Sequence, residues 1–321
     1  VRMSYLLRAG GGPEETLMPN LSFNDPTQEL NRFELVKYEL PEFPRQVKVE
    51  TARACSAACP WCHLWGRDEV KTPMTFMDLG LLEKLLDDIA SWGKPLKEIV
   101  PTNYGELLMH QQWVEILQMM ARKLPKTEIA LVTTGILLNP ENLEKLALIP
   151  TLAYVNFSIN SFFSETWERQ HRRPGKLMLN AVQAVHNLRD RRPDVRVNVS
   201  MVYDQEIVTE LERDLFLEYW AQFGSVSVSP RSFAGWPGRG PKAPVTLPCR
   251  SIFDGLTVFD QGEVGAACCF DGLKEPSLNL GHFPEDTLLS IWRGERLKAL
   301  TETHNAGRRP ELPLCKVCSF A

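Results

Sequence analysis

From residue 46 onward the sequence alternates between strand-patterned and helix-patterned segments, and no other feature restricts the fold as strongly. Gln46–Thr51 alternates polar and apolar residues as a half-buried strand does. Thr75–Trp92 then sets Leu81, Leu82, Leu85 and Ile89 on one helical face. Lys97–Pro101, Glu128–Thr133, Leu152–Ile159, Val195–Tyr203 and Ser225–Ser229 read as further strands. Between them Gln111–Ala121, Pro140–Leu148, Leu177–Leu188 and Val208–Phe223 read as helices, the second opened by the proline that a first turn tolerates. Six strands, the first five each followed by a helix, call for parallel pairing with right-handed crossovers. The expected fold class is α/β, a partial (β/α)6 barrel or an open doubly wound sheet. Either architecture puts its site at the C-terminal ends of the strands.

The flanks read differently. Residues 1–45 are rich in Gly, Pro and Asn, without sustained periodicity, and are expected to form an irregular extension. Their first residues carry a two-leucine apolar core, too short for a signal peptide. No apolar run is long enough to cross a bilayer, so neither a membrane nor an oxidising compartment is expected, and the protein is placed in the cytoplasm. With 36 basic and 40 acidic residues, the chain lacks the basic excess of a nucleic-acid binder. After the barrel segment, residues 46–230, comes a Pro- and Gly-dense linker, 231–248. The unit 249–321 holds a hairpin, Leu256–Phe259 and Glu263–Ala267 around Asp260-Gln261-Gly262, and one helix over Thr287–Thr301. So small a unit buries little core, and a metal site would help to hold it together.

In a reducing compartment the eight cysteines point to metal. They fall in two groups, with none between Cys62 and Cys249. Cys55, Cys59 and Cys62 form C-x3-C-x2-C directly after the first strand. Soft thiolates select an iron–sulfur cluster, zinc or Cu(I). Three thiolates on a four-iron cubane leave one iron open for a substrate. A zinc site with His63 as the fourth ligand has the wrong spacing, because adjacent Cys62 and His63 rarely both reach one tetrahedral ion. In the second group, four of Cys249, Cys268, Cys269, Cys315 and Cys318 make a closed site, iron–sulfur or zinc by spacing alone. On a continuing strand Cys268 and Cys269 point to opposite faces, and hairpin register favours Cys268 as the ligand.

The first motif resembles the signature of the radical S-adenosylmethionine (radical SAM) superfamily. The resemblance implies that the open iron binds S-adenosylmethionine, and that electron transfer from the cluster releases a 5′-deoxyadenosyl radical, which abstracts a hydrogen atom from the substrate. Other family positions fall in register. Trp61 stands where an aromatic residue packs near adenine. Glu106, in Asn103-Tyr104-Gly105-Glu106, stands where a glutamate accepts a hydrogen bond from the SAM amino group. Thr134 lies in Thr133-Thr134-Gly135, and Ser158 and Asn160 in Ser158-Ile159-Asn160, where the family has Thr-Asn-Gly and Ser-Ile-Asp. Arg173, with Arg172 as the alternative, matches an arginine that pairs with the SAM carboxylate, as a fork of donors should.

The C-terminal unit is similar to the SPASM/Twitch extension of the same superfamily. The similarity rests on Cys249-Arg-Ser-Ile-Phe, Asp260-Gln-Gly-Glu-Val, Cys268-Cys-Phe-Asp, Leu280-Gly-His, Leu289-Ser-Ile-Trp and Cys315-Lys-Val-Cys318. Five cysteines rather than seven, with the chain ending just after Cys318, match the shorter Twitch form. Together the two resemblances imply a partial (β/α)6 barrel followed by a small α+β Twitch domain. They imply one auxiliary [4Fe-4S] cluster on Cys249, Cys268, Cys315 and Cys318, and an electron donor such as flavodoxin or ferredoxin.

Likeness to Twitch dehydrogenases of aminocyclitol antibiotic pathways implies oxidation of a small natural-product-type molecule, with the auxiliary cluster accepting an electron. Redox-neutral epimerisation with Cys269 as hydrogen-atom donor, maturation of a ribosomally made peptide, fragmentation or rearrangement, and a non-catalytic Fe–S or zinc scaffold are the alternatives. His63, Trp65, Tyr104 and Trp236 are candidates for the substrate pocket.

Overall fold

The computed structural model describes residues 37–62, 64–66, 73–230, 246–266, 278–316 and 318. They belong to one compact unit spanning Val36–Ala321. Its frame is a nine-stranded sheet. Six strands are parallel and run in chain order: β1 (Gln46–Val49), β4 (Glu98–Val100), β5 (Glu128–Thr133), β6 (Leu152–Ser158), β7 (Arg196–Tyr203) and β8 (Ser225–Pro230). Two short strands, β2 (Ala52–Arg53) and β3 (Thr75–Phe76), form a separate antiparallel pair at the C-terminal end of β1.

Helices α1 (Leu79–Ala90), α2 (Trp113–Lys123), α3 (Pro140–Ala147), α4 (Ser164–His171), α5 (Met178–Arg191) and α6 (Glu210–Ala221) make the crossovers. Their starts are set locally. The Asp78 carboxylate caps α1 by accepting from the N–H groups of Gly80 and Leu81 at 2.8 and 3.1 Å. Asn139 caps α3 just before Pro140. All of these but α4 turn an apolar stripe to the sheet, as α1 does with Leu82, Leu85, Leu86 and Ile89.

The two faces of the sheet are unlike. One carries buried Val47, Ile99, Leu131, Val155, Phe157, Val197 and Val199 against the helices. The other carries Tyr154 beside Arg196, Asn156 beside Asn198 and Ser158 beside Ser200. A doubly wound sheet needs both faces apolar. With only one face apolar and helix-covered, the sheet is that of a partial barrel with its polar face inward.

The C-terminal strands continue this sheet. β9 (Gly255–Val258) pairs parallel with β1, from Gln46 beside Gly255 to Val49 beside Val258. β10 (Glu263–Ala266) and β11 (Asn279–His282) then add antiparallel. Short helix α7 (Ser251–Asp254) precedes β9. The helix expected over Thr287–Thr301 is two helices, α8 (Leu288–Trp292) and α9 (Glu295–Asn305), broken at Arg293-Gly294. Gly294 is extended there and serves as the N-cap of α9. A last short helix, α10 (Pro313–Lys316), carries Cys315. Among the described residues no helix is long and apolar enough to cross a membrane.

Candidate active site at the C-terminal mouth of the barrel

The loop after β2 carries Cys55, Cys59 and Cys62. The Cys62 N–H donates to the Cys59 carbonyl and the Gly66 N–H to the Cys62 carbonyl, both at 2.9 Å, so the chain turns twice within one short segment. Gly66 is required by contact: a Cβ there would lie 2.0 Å from the Cys59 carbonyl oxygen. The loop is anchored outward by the Ala58 N–H, which donates to the His171 carbonyl at 3.0 Å.

The three thiols share one electrostatic environment. Burial pushes the Cys55 thiol up to about 12, and the nearby Glu106 and Cys62 add to the rise. Burial, then Cys55 and Cys62, drive Cys59 well above the ordinary thiol value. Burial raises Cys62 as well, opposed by the backbone N–H groups of residues 64–66. Grouped thiols that resist ionisation need a cationic partner to become ligands, and metal binding then releases their protons. Among the described residues no three His, Cys, Asp or Glu side chains converge on the position of a single ion. Three soft thiolates on one tight loop are the donor set of a [4Fe-4S] cluster, on which each would hold a separate iron.

Glu106 sits beside this loop, buried, and its carboxylate is held by three hydroxyl side chains. Ser56 Oγ donates to Oε2, and Thr133 Oγ1 donates to Oε1 at 2.5 Å. Thr134 Oγ1 lies 3.1 Å from both oxygens, and the Thr134 N–H donates to Oε1 at 3.3 Å. The Glu106 N–H donates to the Ala54 carbonyl at 2.7 Å, which ties the glutamate loop to the cysteine strand. Ser56 and Thr133 had no sequence signal beyond their places next to Cys55 and Thr134.

Arg173 reaches the same loop, its Nε donating to the Ser56 carbonyl, and its charge opposes the rise at Cys55. Arg172 holds the left-handed position that ends α4, with φ 50°. Asn160, at φ 64°, takes the same region, which Asn tolerates. Its amide is spent on the fold, accepting from the Val202 N–H at 2.8 Å and donating to the Ser158 carbonyl at 3.2 Å. His171, absent from the sequence reading, is buried and stacked on Trp167 at 4.3 Å. Burial pushes its imidazole down to about 4, so it is neutral at physiological pH. The Trp167/His171 spacing of four on one helix was the available signal.

Trp65 serves as a strut, its indole N–H donating to the Tyr104 carbonyl at 3.0 Å. The Tyr104 N–H in turn donates to Glu50 at 3.3 Å. Glu50 is 0% exposed at the end of β1 and is paired with Arg53 at 3.1 Å. Burial, against the pull of Arg53 and helped by Asp260, pushes its carboxyl up to about 7. Trp61 is half-buried on the cysteine loop. His63, Trp236, Cys268 and Cys269 lie outside the described residues.

In the C-terminal unit the Cys249 N–H donates to His304 Nδ1 at 3.1 Å, and the Cys318 N–H to the Cys315 carbonyl at 3.3 Å. Arg309 joins the two ends, donating to the carbonyls of Leu247 and Cys318 at 3.2 and 3.4 Å. A cavity of about 350 Å³, lined by Arg45, Lys48, Lys97, Glu98, Arg250 and Asp254, opens at the N-terminal ends of β1 and β4, opposite the cysteine loop. Chemistry in such folds belongs to the other end.

Residues 49–216 match the Radical SAM superfamily, and residues 249–319 match SPASM, an iron–sulfur cluster-binding domain. No curated protein sequence matches the chain. Among solved structures, BtrN in complex with AdoMet and 2-DOIA is similar, with a TM-score of 0.60 at 17% identity over 86% of this chain and 93% of that one. A histidine-tagged anSMEcpe with bound AdoMet gives 0.63 at 12% identity, covering 86% and 85%. Streptococcus suis SuiB bound to precursor peptide SuiA gives 0.59 at 14% identity, covering 96% and 79%. At such identities the likeness speaks for the fold, and the family rests on the match over more than half of the chain. The two matched domains bring S-adenosylmethionine, its [4Fe-4S] cluster and an auxiliary iron–sulfur cluster as cofactors. The chain belongs to the radical SAM superfamily and carries a SPASM-type cluster-binding domain after its barrel.

Proposed function

We propose that the protein is a radical SAM oxidoreductase of dehydrogenase type, acting on a small, hydroxyl-rich molecule seated on the inner face of the barrel. The chemistry of that face carries the reading. Closed barrels fill this face with branched apolar side chains. Here Asn156 Nδ2 donates to Ser200 Oγ at 3.0 Å, and Asn198 Nδ2 donates to Asn156 Oδ1 at 2.6 Å and lies 3.0 Å from Ser227 Oγ. Ser225, Ser227 and Ser229 are exposed on β8, and Val132, next to Asn156, is 40% exposed. Neutral amides and hydroxyls offer donors and acceptors together, which suits a polyol or aminocyclitol. A site built to bind hydroxyls also rejects analogues that lack them.

When bound, S-adenosylmethionine on its [4Fe-4S] cluster supplies a 5′-deoxyadenosyl radical, and the auxiliary [4Fe-4S] cluster an acceptor for one electron. Cys55, Cys59 and Cys62 hold the first cluster; Cys249, Cys268, Cys315 and Cys318 hold the second. Glu106 accepts the SAM ammonium group, and Ser56, Thr133 and Thr134 keep its carboxylate in position beforehand. Arg173 turns its guanidinium to the SAM carboxylate, and Trp61 packs near the adenine. Ser158 closes the top of the polar face. The substrate loses a hydrogen atom, one electron and its hydroxyl proton, and leaves as a carbonyl compound. A flavodoxin or ferredoxin serves as the outside electron donor.

The test is isotopic. Reduced, SAM-loaded enzyme is given an aminocyclitol and a hexosamine, each deuterated at its carbinol carbons, beside a deuterated serine- or cysteine-containing peptide. Deuterium is expected in 5′-deoxyadenosine from a carbinol carbon, with the matching carbonyl product, and Asn198→Leu should reduce the transfer at least tenfold. Transfer from the peptide alone would replace this reading with peptide maturation. Deuterium loss without net oxidation would replace it with epimerisation.

A further inference from the structure

Among the described residues of the C-terminal unit is a buried cation with no acid beside it. Arg309 is 1% exposed, and its guanidinium meets two backbone carbonyls, those of Leu247 and Cys318. Its Nε has no hydrogen-bond acceptor. Among the described residues no carboxylate lies within ion-pair distance of it. A desolvated guanidinium is strongly unfavourable unless an anion stands beside it.

His304 adds to the imbalance. It is fully buried on α9, and its Nδ1 accepts the Cys249 N–H. The ring proton is therefore on Nε2, which also has no acceptor. The groups these two residues touch are the Cys249 and Cys318 backbones and Leu247, two positions before Cys249. A cation and an unused N–H thus belong to side chains that are hydrogen-bonded to the backbones of two of the C-terminal cysteines.

We propose that Arg309 is the counter-cation of the auxiliary cluster site and, with the Nε2–H of His304, sets how readily that site accepts an electron. The inference rests on the reading that the site holds a [4Fe-4S] cluster on four cysteines. Such a cluster is formally dianionic with its thiolates and gains a further negative charge on reduction. A fixed cation and N–H donors close to the sulfurs favour the reduced state and raise the potential. An electron-accepting role has a use for this bias. A purely structural zinc site has none beyond charge balance.

The proposal is tested on the full chain carrying Cys55→Ala, Cys59→Ala and Cys62→Ala, so that only the auxiliary signal is read. Iron content and an EPR-monitored redox titration with dithionite and mediators are measured for this background and with Arg309→Met, Arg309→Lys or His304→Phe added. Arg309→Met is expected either to lose the remaining iron or to keep it with a midpoint shifted to more negative potential. Arg309→Lys should recover iron and most of the shift, and His304→Phe should move the midpoint in the same direction by less. Full iron with an unmoved midpoint in Arg309→Met overturns the proposal. So does iron loss in Arg309→Met that Arg309→Lys does not reverse, since packing alone would explain it. Zinc in place of iron in the background protein would remove the cluster reading itself, and is told apart by metal analysis before any titration.

Discussion

Gly105→Ala is expected to abolish S-adenosylmethionine binding and to destabilise the protein by roughly 3 kcal/mol or more, the upper range for overpacking. The reason is backbone contact. A Cβ on Gly105 would lie 1.7 Å from the Ala52 carbonyl oxygen and 2.7 Å from that of Ala54. Neither atom belongs to a side chain that can rotate away. Ala52 is held in β2, and the Ala54 carbonyl already accepts the Glu106 N–H. The loop from residue 103 to 106 must therefore lift off the cysteine strand. That movement breaks the Glu106–Ala54 and Tyr104–Glu50 hydrogen bonds and withdraws Glu106 from Ser56, Thr133 and Thr134. Denaturant unfolding and equilibrium binding of S-adenosylmethionine measure the two effects. Wild-type stability together with wild-type affinity would show that the loop does not need to lie against the strand.

Glu50→Gln should act in the opposite direction, and only above acid pH. The Glu50 carboxyl is raised from 4.5 to about 7 in the folded protein, with burial as the chief cause. Below pH 4.5 the group is neutral whether the chain is folded or not, and it exacts no electrostatic penalty. As pH rises from 4.5 towards 7 the unfolded chain releases this proton while the folded one keeps it, so stability falls. Above pH 7 the loss is complete and amounts to roughly 3 kcal/mol. Glutamine leaves an oxygen to accept the Tyr104 N–H and carries no charge to bury. The variant is thus expected to gain on wild type by most of that amount between pH 3.5 and pH 8.5, over a constant offset from the lost Arg53 contact. Unfolding curves at the two values decide the matter. A difference that does not change with pH would mean that Glu50 is not the strained group.

What the sequence showed and what it hid follow from the range of the interactions. All six parallel strands were legible, because their apolar faces recur every second residue. β5 even keeps its bounds, Glu128–Thr133. Helix α4 was missed. Its sequence, Ser-Glu-Thr-Trp-Glu-Arg-Gln-His, has no apolar stripe, and it buries Thr166, Gln170 and His171 beside Trp167. The pairing of β9 with β1 was also hidden, since it joins segments far apart in the chain and leaves no local pattern. The cysteine loop was legible because the spacing of cluster ligands is local. Glu106 was legible through its neighbours in sequence, whereas the Ser56 and Thr133 hydroxyls on its carboxylate come from two other segments. Arg309 and His304 read as an ordinary basic residue and an ordinary helical histidine until burial and missing partners set them apart.

The most direct measurement of the central claim is anaerobic iron and sulfide content, EPR of the reduced protein and 5′-deoxyadenosine formation, for wild type and for the Cys55→Ala/Cys59→Ala/Cys62→Ala variant. Wild type is expected to hold about eight irons and to cleave S-adenosylmethionine; the variant should keep about four and cleave none. A variant that still forms 5′-deoxyadenosine, or a wild-type protein that forms none with both clusters loaded and reduced, would contradict the account.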